Sequence, residues 1–166
     1  MTQPVLELYG HKTWATLQLL ELCAGLDDDT LDAAVPGTYG TIRDTFRHLV
    51  RSEESYFARV TGQRFFKPLE DRPARLDELA ARIRRLGPEW ETAAADPAVA
   101  ERVVTTDDGW RLKASVIMAQ AIHHADDHRT HILTILGARG VEVPDLDLWA
   151  YADANAKVEH VDVTRQ

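Results

Sequence analysis

The chain has 166 residues, of which 45% are hydrophobic and 28% are charged, a composition typical of one globular domain over residues 1–166. The formal net charge of −8 argues against a nucleic-acid partner, which needs a cationic surface, and against binding to an anionic membrane. Cys23 is the one cysteine, so an internal disulfide and a thiolate metal cluster are excluded, and without a signal-peptide or membrane-spanning pattern we expect a cytoplasmic protein.

Four long segments with apolar residues at helical spacing follow one another along the chain. After the first segment, the acidic run at residues 27–29 predicts the cap of a short turn. The second segment has a capping residue at Thr41, an acid three residues later at Asp44, and a glycine stop at Gly62. We expect these helices at residues 5–26, 41–62, 76–95 and 113–138.

Two smaller elements are predicted near the fourth helix. In the stretch ERVVTTDDGWRL, two β-prone runs flank Asp108 and Gly109, which is the pattern of a hairpin. A shorter helix is expected at residues 147–157. The predicted fold class is therefore all-α: an antiparallel four-helix bundle with a short β-hairpin before the fourth helix and a small C-terminal helix.

The fourth predicted helix carries histidines on its apolar stripe, within QAIHHADDHRTHILTIL. His124 and His128 are one helical turn apart, and both lie, with His131, within about 60° of the stripe centre at Ile117. A buried imidazole costs free energy unless it is paired or ligated, and two imidazoles at this spacing are a common metal-binding pair. The alternative is a set of core histidines whose ring nitrogens are satisfied by hydrogen bonds.

A third ligand has to come from another helix, because the outermost histidines of this set are roughly 10 Å apart along the helix axis, too far for one ion. His48 in the second helix is the best candidate. Its face carries the small polar side chains of Thr45, Ser52 and Ser55, which leave room for a pocket. Three imidazoles with an open fourth position form a catalytic type of zinc site, and nickel or iron also suits nitrogen donors.

Other polar residues near this predicted site fall into two groups. The residues assigned to the pocket, or to supporting the ligands, are His131, Asp127 and Ser52. His123 and Asp126 point away from the stripe and are expected to be exposed. Glu53 and Glu54 are expected to be surface or packing residues rather than a general base, since long helices carry such charges routinely.

Three stretches resemble the DinB-like superfamily of metal-dependent enzymes, and the resemblance extends over nearly the whole chain. The first helix of that family is similar to YGHKTWATLQLLELCAGL, although His11 replaces the usual asparagine. Its second helix resembles GTYGTIRDTFRHLVRSEESYFARVTG, in which a histidine is followed by an acid and an aromatic residue, here His48, Glu53 and Tyr56. Its fourth-helix signature resembles HHADDHRTHILTILGARG, with Arg129 matching the family's arginine.

Carried over residue by residue, the resemblance places the family's three metal ligands on His48, His124 and His128. Thr130 and His131 stand where glycine and glutamine are common, so the pocket is expected to differ from that of relatives. The resemblance also implies a four-helix bundle, usually a homodimer, that binds zinc or nickel. Among relatives it implies transferases that use low-molecular-weight thiols such as mycothiol or bacillithiol, and a mycothiol-dependent maleylpyruvate isomerase.

We therefore expect a metal-dependent enzyme of thiol S-transferase or hydrolase type that acts on a small-molecule substrate. The nucleophile would be a water, or a low-molecular-weight thiol cosubstrate, in the open position of a zinc or nickel ion. The alternative is a non-catalytic bundle that binds a metal or another ligand in a stress response.

Overall fold

The structure is a computed structural model that describes residues 3–69, 75–159 and 161. The four long helices are α1 (Gln3–Ala24), α3 (Ile42–Thr61), α4 (Leu76–Ala95) and α6 (Ala114–Ala138). The shorter elements are α2 (Asp28–Leu31), α5 (Pro97–Glu101), β1 (Val103–Thr105), β2 (Arg111–Lys113) and α7 (Leu148–Ala154). The predicted helical bundle, hairpin and small C-terminal helix are confirmed. None of the described helices combines the length and apolar character that crossing a bilayer requires.

Capping chemistry sets the ends of α3 as the sequence predicts. Thr41 accepts a hydrogen bond from the backbone N–H of Asp44, and Gly62 ends the helix in the left-handed conformation at φ 81°. The predicted turn after α1 is the short helix α2, which begins where the side chain of Asp27 accepts a hydrogen bond from the N–H of Thr30.

Two short helices differ from the prediction. Helix α5 was not expected, although its signal is present: Asp96 caps the helix and Pro97 fills its first position, where a missing N–H costs nothing. Helix α7 is shorter than the predicted residues 147–157, because Asp147 is its N-cap and the helix ends at Ala154. The β1–β2 hairpin is antiparallel, with Val104 opposite Leu112, and Gly109 in its turn has φ 88°.

Two core clusters, one near each end of the bundle, establish the directions of the helices. The first joins the C-terminal halves of α1 and α6 to the N-terminal halves of α3 and α4; it includes Leu19, Phe46, Leu79 and Ile132. The second joins the opposite halves and includes Tyr9, Phe57, Trp90 and Met118. Helices α1 and α6 therefore run one way and α3 and α4 the other. The main packing pairs, α1 with α4 and α3 with α6, are antiparallel.

Helices α1 and α4 approach closely because a glycine lies between them. A β-carbon added at Gly87 would lie 2.5 Å from Cγ2 of Thr13, closer than any van der Waals contact. Pro88, the next residue, lies inside the continuous helix α4. The sequence Gly-Pro, which usually interrupts a helix, here allows the backbone of α4 to pack against a threonine of α1.

Candidate metal centre

The candidate site lies between α3 and α6, where three histidines converge. His48 comes from α3, and His124 and His128 come from successive turns of α6. The Nε2 atoms of His48 and His124 are 3.0 Å apart, and one ring nitrogen from each of the three residues lies within 4.8 Å of the other two. We call these residues the histidine trio. The structure thus brings together the three residues that the spacing and the resemblance selected.

The environment of the trio keeps its imidazoles neutral. His128 is only 6% exposed, and the other two rings are partly buried. Burial, together with the neighbouring rings of His128 and His48, lowers the pKa of His124 to about 4. Burial also lowers the pKa of His48 and of His128. At pH 7 the three rings therefore present unprotonated nitrogens, the form in which imidazole binds a metal ion.

Two tyrosines border the trio, and neither was predicted to be a site residue. The half-exposed ring of Tyr39 stacks on His48, with centroids 4.1 Å apart and an interplanar angle of 21°. Tyr39 also meets the ring of His128 edge to face at 5.0 Å. Tyr56 meets His124 edge to face at 5.5 Å. Tyr56 is on α3, but Tyr39 is in a loop, where helical periodicity gives no signal.

The three residues assigned to the pocket have different relations to the trio. Asp127 is exposed, and its negative charge opposes the lowering of the pKa of His124 and His128, so it lies near both rings. The ring of His131 is 5.4 Å from that of His128, edge to face. Ser52 is partly buried on α3, and its role stays a prediction. His123 and Asp126 are exposed, as the helical pattern predicts.

Glu53, expected to be a surface or packing residue, is buried: it is 2% exposed and forms an ion pair with Lys12 of α1. The ammonium of Lys12 also lies 5.2 Å from the ring centroid of Trp90. Arg129, likewise buried, donates hydrogen bonds to the backbone oxygen of Lys12 and to the hydroxyl of Thr16. No local pattern indicates the ion pair between Lys12 and Glu53, since these residues are 41 positions apart in the chain. Glu54, by contrast, is partly exposed and pairs with Arg82.

An apolar cavity of about 550 Å³ lies on another side of α6, between α1, α6 and the start of α7. Its walls include Leu8, Met118 and Ile122, with His123 and Arg129 at the polar margin. No member of the histidine trio lines this cavity. The trio and the cavity are therefore separate features of α6, and the cavity does not supply a substrate pocket for the trio.

Comparison with known proteins adds two findings. The sequence profile described as the DinB family matches residues 1–161. The fold is similar to a solved structure described as the crystal structure of a DinB-like protein from Bacillus cereus ATCC 10987 at 2.01 Å resolution, with a TM-score of 0.66. That similarity covers 85% of this chain and 94% of the other at 18% sequence identity, which shows the fold alone. No curated protein matches the chain.

Proposed function

The chain belongs to the DinB family, and we propose that it is a metal-dependent enzyme whose divalent ion is held by His48, His124 and His128. The ion is zinc or nickel. The reaction adds a low-molecular-weight thiol, or water, to a small electrophilic substrate. The observation that carries this proposal is the convergence of three neutral, shielded imidazoles from two helices on one point.

The donor set fits a first-row divalent ion. Tetrahedral zinc, with bonds of about 2.0–2.1 Å, holds its nitrogen ligands about 3.4 Å apart. In the trio one nitrogen pair is 3.0 Å apart and all three nitrogens lie within 4.8 Å. Small side-chain rotations therefore bring the nitrogens to binding distance. Nitrogen donors without a thiolate or a carboxylate suit zinc and nickel alike.

The alternative, a set of core histidines satisfied by hydrogen bonds, explains the geometry less well. The Nδ1 atoms of His124 and His128 are buried and have no hydrogen-bond partner in the described part of the chain. The close Nε2 contact between His48 and His124 joins two like atoms, so at least one of them must act as an acceptor. Buried imidazoles so poorly paired cost free energy in a purely structural core.

The residues of the chain have distinct tasks in this proposal. When bound, the divalent ion supplies Lewis-acid chemistry that lowers the pKa of a thiol or water nucleophile towards neutrality. The trio provides neutral nitrogen donors, and Tyr39 and Tyr56 hold the rings of His48 and His124 in place by packing. These phenol rings also give the site an apolar wall, which favours a substrate with a hydrophobic portion.

Metal analysis of site variants tests the metal-binding half of the proposal. The untagged chain should bind zinc or nickel at micromolar concentration, measured by calorimetry and by elemental analysis after dialysis. His128→Ala should weaken binding by at least 100-fold, on the order of the loss of one inner ligand. His123→Ala, an exposed position on the same helix, is the matched control and should bind as the wild type does. Equal loss in both variants would refute the assignment.

Turnover assays test the enzymatic half separately. The metal-loaded chain should consume an electrophile in the presence of mycothiol or bacillithiol, or hydrolyse an activated ester without a thiol, and His128→Ala should do neither. A chain that binds the ion with micromolar affinity but shows neither activity would be a metal-binding bundle without catalysis. The thiol dependence of the rate then distinguishes S-transfer from hydrolysis.

A further inference from the structure

A second group of metal-ligand side chains lies beside the trio on α6. Asp127, His128 and His131 each present one ligand atom, and these three atoms lie within 4.8 Å of one another. His128 belongs to both groups. The two remaining members lie one turn apart, because residues 127 and 131 are separated by one i, i+4 step of the helix.

The second group has the chemistry of a metal site rather than of a surface charge cluster. It combines two imidazoles with a carboxylate, a donor set common for zinc and other first-row ions. The Nδ1 atoms of His128 and His131 are buried and have no hydrogen-bond partner in the described residues. His128 is buried, His131 is partly buried and Asp127 is exposed, so one side of the group is open to solvent.

We propose that Asp127, His128 and His131 bind a second divalent ion next to the one held by the trio, with His128 as the shared ligand. This inference rests on the proposed metal site. His128 has two ring nitrogens, of which Nδ1 is buried without a hydrogen-bond partner in the described residues, so it could serve both groups, and its N–H proton would then be lost to solvent. The anionic ring would, together with the carboxylate of Asp127, offset the repulsion between two neighbouring dications.

His131 is the imidazole that belongs to the second group alone. A glutamine amide is a weak ligand for zinc or nickel compared with imidazole. His131→Gln is therefore the sharpest test, since it removes one donor and keeps a polar side chain of similar size on the same helical face.

The test is the number of zinc ions bound per chain, measured by calorimetry and by elemental analysis at saturation in a weak competing chelator. The wild type should bind two ions, one at least 10-fold more tightly than the other. His131→Gln and Asp127→Asn should bind one ion with the affinity of the tighter wild-type site. His48→Ala should also bind one ion, and His128→Ala none, because both groups lose the shared ligand. His123→Gln, at an exposed site, should bind two.

Each outcome has a distinct meaning. One ion in the wild type, unchanged by His131→Gln, overturns the second site and leaves the trio intact. Two ions in both of these proteins overturn the assignment of His131 as a ligand. No ion in the wild type overturns the proposed function itself. Circular dichroism spectra of the variants establish that the bundle is folded, so that a loss of stoichiometry reports on ligands rather than on unfolding.

Discussion

Removing the carboxylate of Glu53 should strongly destabilise the bundle, because it leaves a lysine ammonium in the core without its partner. Lys12 is 4% exposed and pairs with Glu53 between α1 and α3. Burial lowers the pKa of Lys12, and the Glu53 carboxylate opposes that shift. In Glu53→Gln no group of equal strength opposes the lowering of the Lys12 pKa by burial. The buried guanidinium of Arg129 lowers this pKa further.

The magnitude follows from the protonation of lysine. The folded variant loses the least free energy when Lys12, whose ordinary pKa is 10.5, releases its proton. At pH 7 that release costs about 5 kcal/mol, at about 1.4 kcal/mol per pH unit. Measured losses on removing one partner of a buried ion pair are about 3–5 kcal/mol. At pH 9 the cost of releasing the proton falls to about 2 kcal/mol, so the variant should recover much of its stability.

The sign of this pH dependence can be checked against the reverse variant. In folded Glu53→Gln the pKa of Lys12 is below its unfolded value, so the unfolded chain binds more protons and stability rises with pH. In Lys12→Met the Glu53 carboxylate is left in the core without its lysine partner, so stability should rise as pH falls. The attraction between Arg129 and Glu53 reduces this second loss.

Urea unfolding followed by circular dichroism at pH 7 and pH 9 measures these quantities, with wild type, both single variants and the double variant Lys12→Met/Glu53→Met. The double variant should be close to wild type in stability, since no unpaired charge remains. A loss below about 1 kcal/mol for Glu53→Gln at pH 7, or the same loss at pH 9, would refute the reasoning, because it would show that Lys12 reaches solvent or another carboxylate.

Three further predictions concern other parts of the molecule. In the metal-free chain the pKa of His124 is lowered to about 4, so the unfolded chain takes up a proton first, and the wild type should lose stability relative to His124→Gln as pH falls from about 6.5 towards about 4. Urea unfolding at both pH values measures this difference in stability, and a difference that stays constant would contradict the prediction. Tyr39→Ala should speed removal of the ion by a chelator several-fold, whereas Tyr39→Phe, which keeps the stacked ring, should match the wild type. Equal removal rates for all three proteins would show that the Tyr39 ring does not cover the trio. Gly87→Ala should lower the free energy of unfolding by about 1–3 kcal/mol through its collision with Thr13, whereas Gly137→Ala, with open space around it, should raise it by up to about 1 kcal/mol. Thermal unfolding measures both changes, and a stabilised Gly87→Ala would contradict the close contact.

The parts of the fold set by local patterns could be predicted from the sequence. The four long helices are marked by apolar periodicity, and α3 is bounded by a threonine cap and a terminal glycine. The identity of the trio was also predicted, because two histidines share one helical face, a third lies among small polar residues, and the resemblance selects the same three. The hairpin followed from a single Asp-Gly pair. In each case the information lies within a few residues of the element that it determines.

Features that depend on contacts between distant segments could not be predicted in this way. The ring of Tyr39 covers the trio from a loop whose path is set by tertiary packing rather than by periodicity. Glu53 looked like an ordinary helix-surface acid, and only the approach of α1 shows that it faces Lys12. Helical spacing gives the angle of a side chain about its own axis, but it does not say which neighbouring helix that side chain meets.

These contacts between distant segments also affect the trio, because polar links fix the positions of the helices relative to one another along the bundle axis. Apolar stripes tolerate axial shifts, whereas a buried ion pair is satisfied in one register only. Lys12 joins Glu53 of α3, and Arg129 of α6 donates to the Lys12 carbonyl of α1, so α3 and α6 are both tied to one point of α1. These links keep His48 at the same position along the bundle axis as His124 and His128 of α6. We therefore expect Glu53→Gln, where it remains folded at pH 9, to bind zinc at least several-fold more weakly than the wild type. Unchanged affinity in a folded variant would show that packing alone sets the register.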